Sequence, residues 1–121
     1  MAASYHNIAL TCRKLGQYEE ALGYNQKALA IRQSALEANH PDLGASYHNV
    51  ALTYHALGQY EGALGYHQKA EAILGSVLDV NHPGRIEYYH NIALTYRALE
   101  LEDKAKEYEA KAAAIIKKRN E

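Results

Sequence analysis

A chain of 121 residues can bury a hydrophobic core without help from disulfides or metals. Its 13 basic and 14 acidic side chains nearly cancel, which gives no reason to expect a nucleic-acid or anionic-membrane partner. A lone cysteine, Cys12, cannot form an internal disulfide. No apolar run nears the roughly 20 residues that span a bilayer, and "MAASYHN" lacks a basic-then-apolar signal pattern, so a soluble cytoplasmic domain is expected.

The first predicted element runs from Ala2 to Leu15 without Pro or Gly, and Tyr5, Ile8, Cys12 and Leu15 recur at helical spacing. "LGQY" interrupts it, with Gly16 suited to a left-handed helix end. A second helix follows to about Glu37, its broad apolar stripe formed by Ala21, Leu22, Tyr24, Ala28, Leu29 and Ile31. "NHP" at 39–41 then ends one helix and starts the next, with Pro41 at a first helical position and Asn39 or His40 as its cap. The same order returns 42 residues later, through Gly58, a helix to about Asp79, and "NHP" at 81–83. A third copy begins near Tyr88 and drifts after Leu99.

Residues 4–45 and 46–87 are identical at 26 of 42 aligned positions, so the period takes precedence over any local motif. Tyr5, Tyr47 and Tyr89 mark it, as do Ala21, Ala63 and Ala105, and Ala28, Ala70 and Ala112. Sustained period-2 alternation is missing, so strands find no support. The expectation is all-α: six antiparallel helices in three hairpins, stacked as a solenoid. One domain covers 1–121, divided as 1–42, 43–84 and 85–121, the last with a cap-like helix.

"YHNIALTCRKLGQYEEALGYNQKALAI" resembles a tetratricopeptide repeat, with small residues at Ala9, Ala21 and Ala28, the turn Gly16 and an aromatic at Tyr18. The 42-residue period and the "NHPD" linker resemble the kinesin-light-chain-like subclass, whose second helix is longer. The resemblance implies a right-handed α-solenoid that serves as a binding scaffold. The chain departs from the pattern in several places. Tyr stands where Trp is often found early in the first helix, and Asn25, His67 and Glu109 replace a packed aromatic in the second. Glu100 replaces the third turn glycine, and no linker motif follows it. Gly23 and Gly65 interrupt the second helices, which implies either close helix approach or tolerated exposure.

On a helical wheel Tyr5, Ile8, Ala9, Cys12 and Leu15 fall on one side, expected to be the packed side. His6, Asn7, Leu10, Arg13 and Lys14 fall opposite, echoed by His48, Asn49 and His55, then by His90, Asn91 and Arg97. In the family that side lines a concave groove, so the His-Asn pairs become rungs of a ladder.

A single metal cannot use all three rungs. Zinc ligands must lie about 2.0–2.3 Å from the ion, whereas packed helices are about 8–10 Å apart. No recurring carboxylate pair, phosphate loop or base-activated Thr11, Thr53 or Thr95 supports catalysis. Neither a cofactor nor a metal is expected.

Peptide binding fits better, since Asn offers a donor and an acceptor to a peptide backbone. In the family, asparagines on this helix clamp the ligand, and Asn7, Asn49 and Asn91 match them. Arg13, Lys14 and Arg97, with His6, His48, His55 and His90, would favour a protein or peptide ligand carrying carboxylates. The alternative is that Asn pairs with neighbouring helices and only stabilises the stack.

The last helix looks capped, with Lys106 in place of Leu22 and Leu64, while Tyr5–Leu15 reads as an internal unit. Either a preceding portion is missing or that face meets another chain. The second function class is therefore a self-assembling structural module, a homo-oligomer, a fragment or an engineered repeat.

Overall fold

The computed structural model describes residues 2–37, 40–77 and 82–120. Six helices make up its secondary structure: α1 (Ala2–Lys14), α2 (Tyr18–Ala35), α3 (Pro41–Ala56), α4 (Tyr60–Val77), α5 (Gly84–Ala98) and α6 (Glu102–Arg119). No strand occurs among the described residues. Each helix packs on its sequence neighbours, and α3 also touches α5, as expected for stacked hairpins. The second helices, at 18 residues each, are longer than the first helices, at 13, 16 and 15. Helix α2 stops two residues short of Glu37, while Asp79, Asn39 and Asn81 lie outside the described residues.

The hairpins close through small side chains. Ala21, Ala63 and Ala105 are wholly buried, and Ala28, Ala70 and Ala112 nearly so. Ala9, Ala51 and Ala93 are buried on the first helices. A methyl group at each point lets the helix axes approach, and a larger residue would hold them apart. Gly44 serves the same end between α3 and α4, since a Cβ there would lie 2.9 Å from Leu74 Cδ2. Gly23 and Gly65 do not: nothing lies within 4 Å of their missing Cβ, which settles them as tolerated exposure.

All three hairpin turns share one backbone geometry. The amide of Gly16 donates to the Arg13 carbonyl and that of Gln17 to the Cys12 carbonyl. The pair of bonds recurs from Gly58 to His55 and Gln59 to Tyr54, and from Glu100 to Arg97 and Leu101 to Tyr96. This is the Schellman motif, which needs a left-handed residue after the helix. Gly16 and Gly58 adopt φ of 78° and 77°, and Glu100 is held at 64° despite its side chain. The linker histidines cap the next helices: Nδ1 of His40 accepts from the Asp42 amide and Nδ1 of His82 from the Gly84 amide. Pro41 opens α3 as expected, whereas Pro83 stands one residue before α5.

Tyrosine supplies most of the aromatic packing. Tyr5 and Tyr24, Tyr47 and Tyr66, and Tyr89 and Tyr108 pair with ring centroids 5.8–6.2 Å apart. Each pair carries a lysine ammonium over its rings, from Lys27, Lys69 and Lys111. Tyr47 and Tyr108 also reach polar partners on neighbouring helices, Tyr47 accepting from Gln33 Nε2 at 3.0 Å and Tyr108 donating to Glu71 at 2.9 Å.

A buried polar seam joins successive hairpins. Asn25, where the family would place an aromatic, donates to Thr53 Oγ1 at 2.7 Å and toward the Asn49 carbonyl. Thr53 in turn donates to that carbonyl. In the second hairpin the position is His67, also buried, and neither ring nitrogen has a hydrogen-bond partner among the described residues. Burial pushes His67 down to about 3, helped by His48 and His55; burial and then Arg13 push His48 down to about 4. Both imidazoles are therefore neutral in the folded chain.

Two corrections concern α1. Ile8 is 42% exposed and Leu15 68% exposed, although the wheel places both on the packed side. The counterparts of Ile8, Val50 and Ile92, are buried because a preceding hairpin covers them, whereas those of Leu15, Leu57 and Leu99, are half-buried.

Two outcomes follow from this packing. Glu100→Gly relieves a left-handed side chain and should raise stability by about 1 kcal/mol, read from the urea midpoint; an unchanged or lower midpoint would contradict the strain. For His67 and His48 the folded pKa lies below the unfolded value of about 6.5, so the unfolded chain binds more protons below that pH. Their stability is intact at neutral pH and falls by about 1.4 kcal/mol per pH unit per histidine between about 6.5 and 4. His67→Asn recreates the Asn25 arrangement and should roughly halve that slope in urea titrations at pH 7, 6 and 5.

Candidate functional site

Helices α1, α3 and α5 present their polar sides to one face, and the ladder residues meet there across repeats rather than within them. His6 on α1 meets Asn49 on α3, whose Nδ2 lies 3.0 Å from the ring Nε2 and 3.1 Å from Nδ1. Asn91 on α5 repeats the arrangement, with Nδ2 3.3 Å from Nε2 of His48. Each histidine thus pairs with the asparagine of the following hairpin. Asn49 is buried and Asn91 half-buried, whereas Asn7 is exposed.

The histidines differ in environment. His6 is half-buried, and burial first, then Arg32 and Arg13, lower its pKa against the pull of Asp42. His48 stacks 5.4 Å from His67 and stays neutral, as above. His55 Nδ1 lies 3.0 Å from Thr95 Oγ1, its ring stands edge-on to Tyr60, and burial lowers its pKa. His90 is exposed at the far end.

The cations separate into committed and uncommitted groups. Arg97 forms ion pairs with Glu102 and Glu109 on α6, so its charge is neutralised locally. Lys14 is exposed. Arg13 is half-buried and makes no hydrogen bond or ion pair with any described residue. Burial lowers its pKa, and Glu87 across the face on α5 pulls the other way, followed by Tyr18.

One residue of the face escapes the wheel. Arg32 reaches over from α2, donating to Ser46 Oγ at 2.8 Å and to the Asp42 carbonyl at 3.2 Å, with Nη1 3.4 Å from His6 Nδ1. Its counterparts are Leu74 and Ile116, and that lone charge in an apolar register is the sequence signal for it.

Depressions of about 260 and 270 Å³ lie away from the ladder residues, one along Glu100–Lys104 and one beside Glu20, Gly23, Tyr24 and Lys27. No group of three or more metal-ligating side chains occurs among the described residues. Nor is any described helix long and apolar enough to cross a membrane.

Comparison with known proteins agrees with this architecture. The chain matches the Tetratricopeptide repeat family over residues 1–76 and again over 86–118. A solved structure of a putative kinesin light chain from Podosopora anserina, with nearly identical TPR-like repeats, is 31% identical with a TM-score of 0.85. That likeness covers 93% of this chain and 54% of the other, so this chain spans about half of that relative's length. BtubC (BKLC) from P. vanneervenii is 22% identical with a TM-score of 0.90, covering 98% of this chain and 48% of that one. The TPR domain of Arabidopsis FLU is 21% identical with a TM-score of 0.84, covering 97% and 95%. These two show likeness of fold alone. No curated protein matches. Three stacked hairpins, their Schellman turns and these matches together place the chain in the tetratricopeptide repeat family, kinesin-light-chain-like, whose repeats generally mediate protein–protein interaction.

Proposed function

We propose that the chain is a non-catalytic, cytoplasmic scaffold whose α1–α3–α5 face binds an extended peptide bearing carboxylates. Arg13 carries this reading: it is half-buried, it lacks a partner among the described residues, and it faces the row of His6, His48 and Glu87. A ligand carboxylate would supply the charge-assisted hydrogen bonds that Arg13 otherwise forgoes. Asn7 has its side-chain amide free for a peptide backbone, and His90 and Lys14 extend the polar strip at either end.

The inner rungs take a modified role. Asn49 and Asn91 already contact His6 and His48, so a ligand would meet pre-positioned pairs rather than loose side chains. Preorganisation of that kind lowers the entropic cost of binding. Arg97 contributes less, because Glu102 and Glu109 hold its charge, and His55 sits beside Thr95 at the margin.

A titration of acidic and C-terminal peptides by fluorescence anisotropy tests the assignment. Arg13→Ala should weaken the best peptide about tenfold, about 1.4 kcal/mol. Asn7→Ala should weaken it several-fold, and Arg97→Ala should change little. Undiminished binding by both Arg13→Ala and Asn7→Ala would remove this face as the site.

A further inference from the structure

Hydrogen-bond donors crowd one imidazole at the junction of the first two hairpins. Asn49 Nδ2 lies 3.0 and 3.1 Å from the ring nitrogens of His6, and Arg32 Nη1 lies 3.4 Å from Nδ1. A neutral imidazole has one acceptor nitrogen, so it cannot satisfy both neighbours as donors. The Asn amide can turn its oxygen toward the ring, but a guanidinium holds donors only. Every bond that Arg32 makes among the described residues leaves from Nη1, and each reaches a neutral group: the Ser46 hydroxyl, the Asp42 carbonyl and the His6 ring. Its Nε and Nη2 have no partner among those residues. Arg13 acts on the same imidazole from α1, and it too makes no hydrogen bond or ion pair there. The carboxylates of Asp42 and Glu87 act on His6 and Arg13, yet neither forms an ion pair with a guanidinium.

We propose that Arg13, Arg32 and His6 form a site for a phosphoryl group, carried on a side chain of the bound peptide; this rests on the peptide-binding reading of the α1–α3–α5 face. A phosphorylated side chain brings a charge of about −1.5 to −2 and three strong acceptor oxygens. Those oxygens point in different directions, so one group can take donors from α1 and α2 together. A carboxylate, with two oxygens in one plane, is matched by a single guanidinium fork. The imidazole adds a response of its own. In the free chain burial, then Arg32 and Arg13, lower the His6 pKa, so the ring is neutral at pH 7. A dianion bound beside it reverses the local field, and the ring takes up a proton and becomes a further donor.

A nucleic-acid backbone fits this cluster poorly. A polyanion is held by a run of cations, whereas Leu74 and Ile116 stand at the positions equivalent to Arg32, and the chain carries a net charge of −1. The cluster occurs once, at the first junction, and suits one modified side chain.

The test uses the intact protein and labelled peptide libraries, degenerate except for a central phosphoserine, glutamate or serine. By anisotropy the phosphoserine library should bind about tenfold tighter than the glutamate library. Arg13→Ala and Arg32→Ala should each bring that ratio close to one. Arg32 also ties α2 to α3, so circular dichroism should confirm that the variants are folded. Arg32→Lys keeps the charge without the fork and should lose most of the preference. In the unaltered protein, NMR titration should show the His6 pKa raised by the phosphoserine library and not by the serine library. Equal binding of the phosphoserine and glutamate libraries overturns the phosphoryl site and leaves the carboxylate-binding face standing. A preference that survives in both Arg13→Ala and Arg32→Ala overturns the site as well, since the phosphate would bind elsewhere. So does a single-stranded oligonucleotide that displaces the phosphoserine library at lower concentration than inorganic phosphate does. Binding of the phosphoserine library alone supports the site and removes the carboxylate reading, whereas binding of no library overturns both.

Discussion

Everything in this fold depends on how closely two helices can approach at an alanine. Where Ala21, Ala63 and Ala105 are buried to zero exposure, a side chain beyond Cβ would separate the helices of a hairpin. Each 42-residue period returns a buried methyl group to the same point of its hairpin. The turn is equally constrained: a helix pair this close needs a short reversal, and the Schellman geometry provides one at Gly16, Gly58 and Glu100. Tyrosine then fills space beside the alanine seam, and the Tyr108 hydroxyl reaches Glu71.

Close approach also decides where polar groups are satisfied. Stacking brings α2 against α3 so tightly that Asn25, Asn49 and Thr53 leave water together, and they compensate one another. In the next hairpin His67 occupies Asn25's place without gaining those bonds. At one register position a satisfied junction thus gives way to a buried imidazole without hydrogen-bond partners among the described residues. Outside this seam, the same stacking sets a histidine of one hairpin beside an asparagine of the next, and the polar face acquires its order from packing.

Repetition is what made most of the fold legible in the sequence. A period-3.6 pattern shows a helix, but three aligned copies of it show which small residues must be core and which glycines must be turns. The wheel failed at Ile8 and Leu15 because it reports which side of a helix is apolar, not whether anything stands opposite. It likewise identified His6 and Asn49 as members of one face without pairing them, since their separation comes from the offset between stacked hairpins. Arg97 looked free because Glu102 and Glu109 approach it from α6, around a turn whose geometry the pattern does not state.

The three repeats are alike in their packing positions and unlike in charge, and this gives the face a direction. Packing positions must recur because each hairpin rests on the one before it. The exposed rows carry no such constraint. Near α1 the cations are Arg13, Lys14 and Arg32, with Arg13 unpaired among the described residues. Toward α6 the cation is Arg97, and α6 supplies the carboxylates that neutralise it. A peptide on the proposed face would therefore gain most by setting its carboxylate toward α1, with its less charged portion over α5. Burial governs the packing positions and solvent exposure the charged rows, so one set repeats and the other does not.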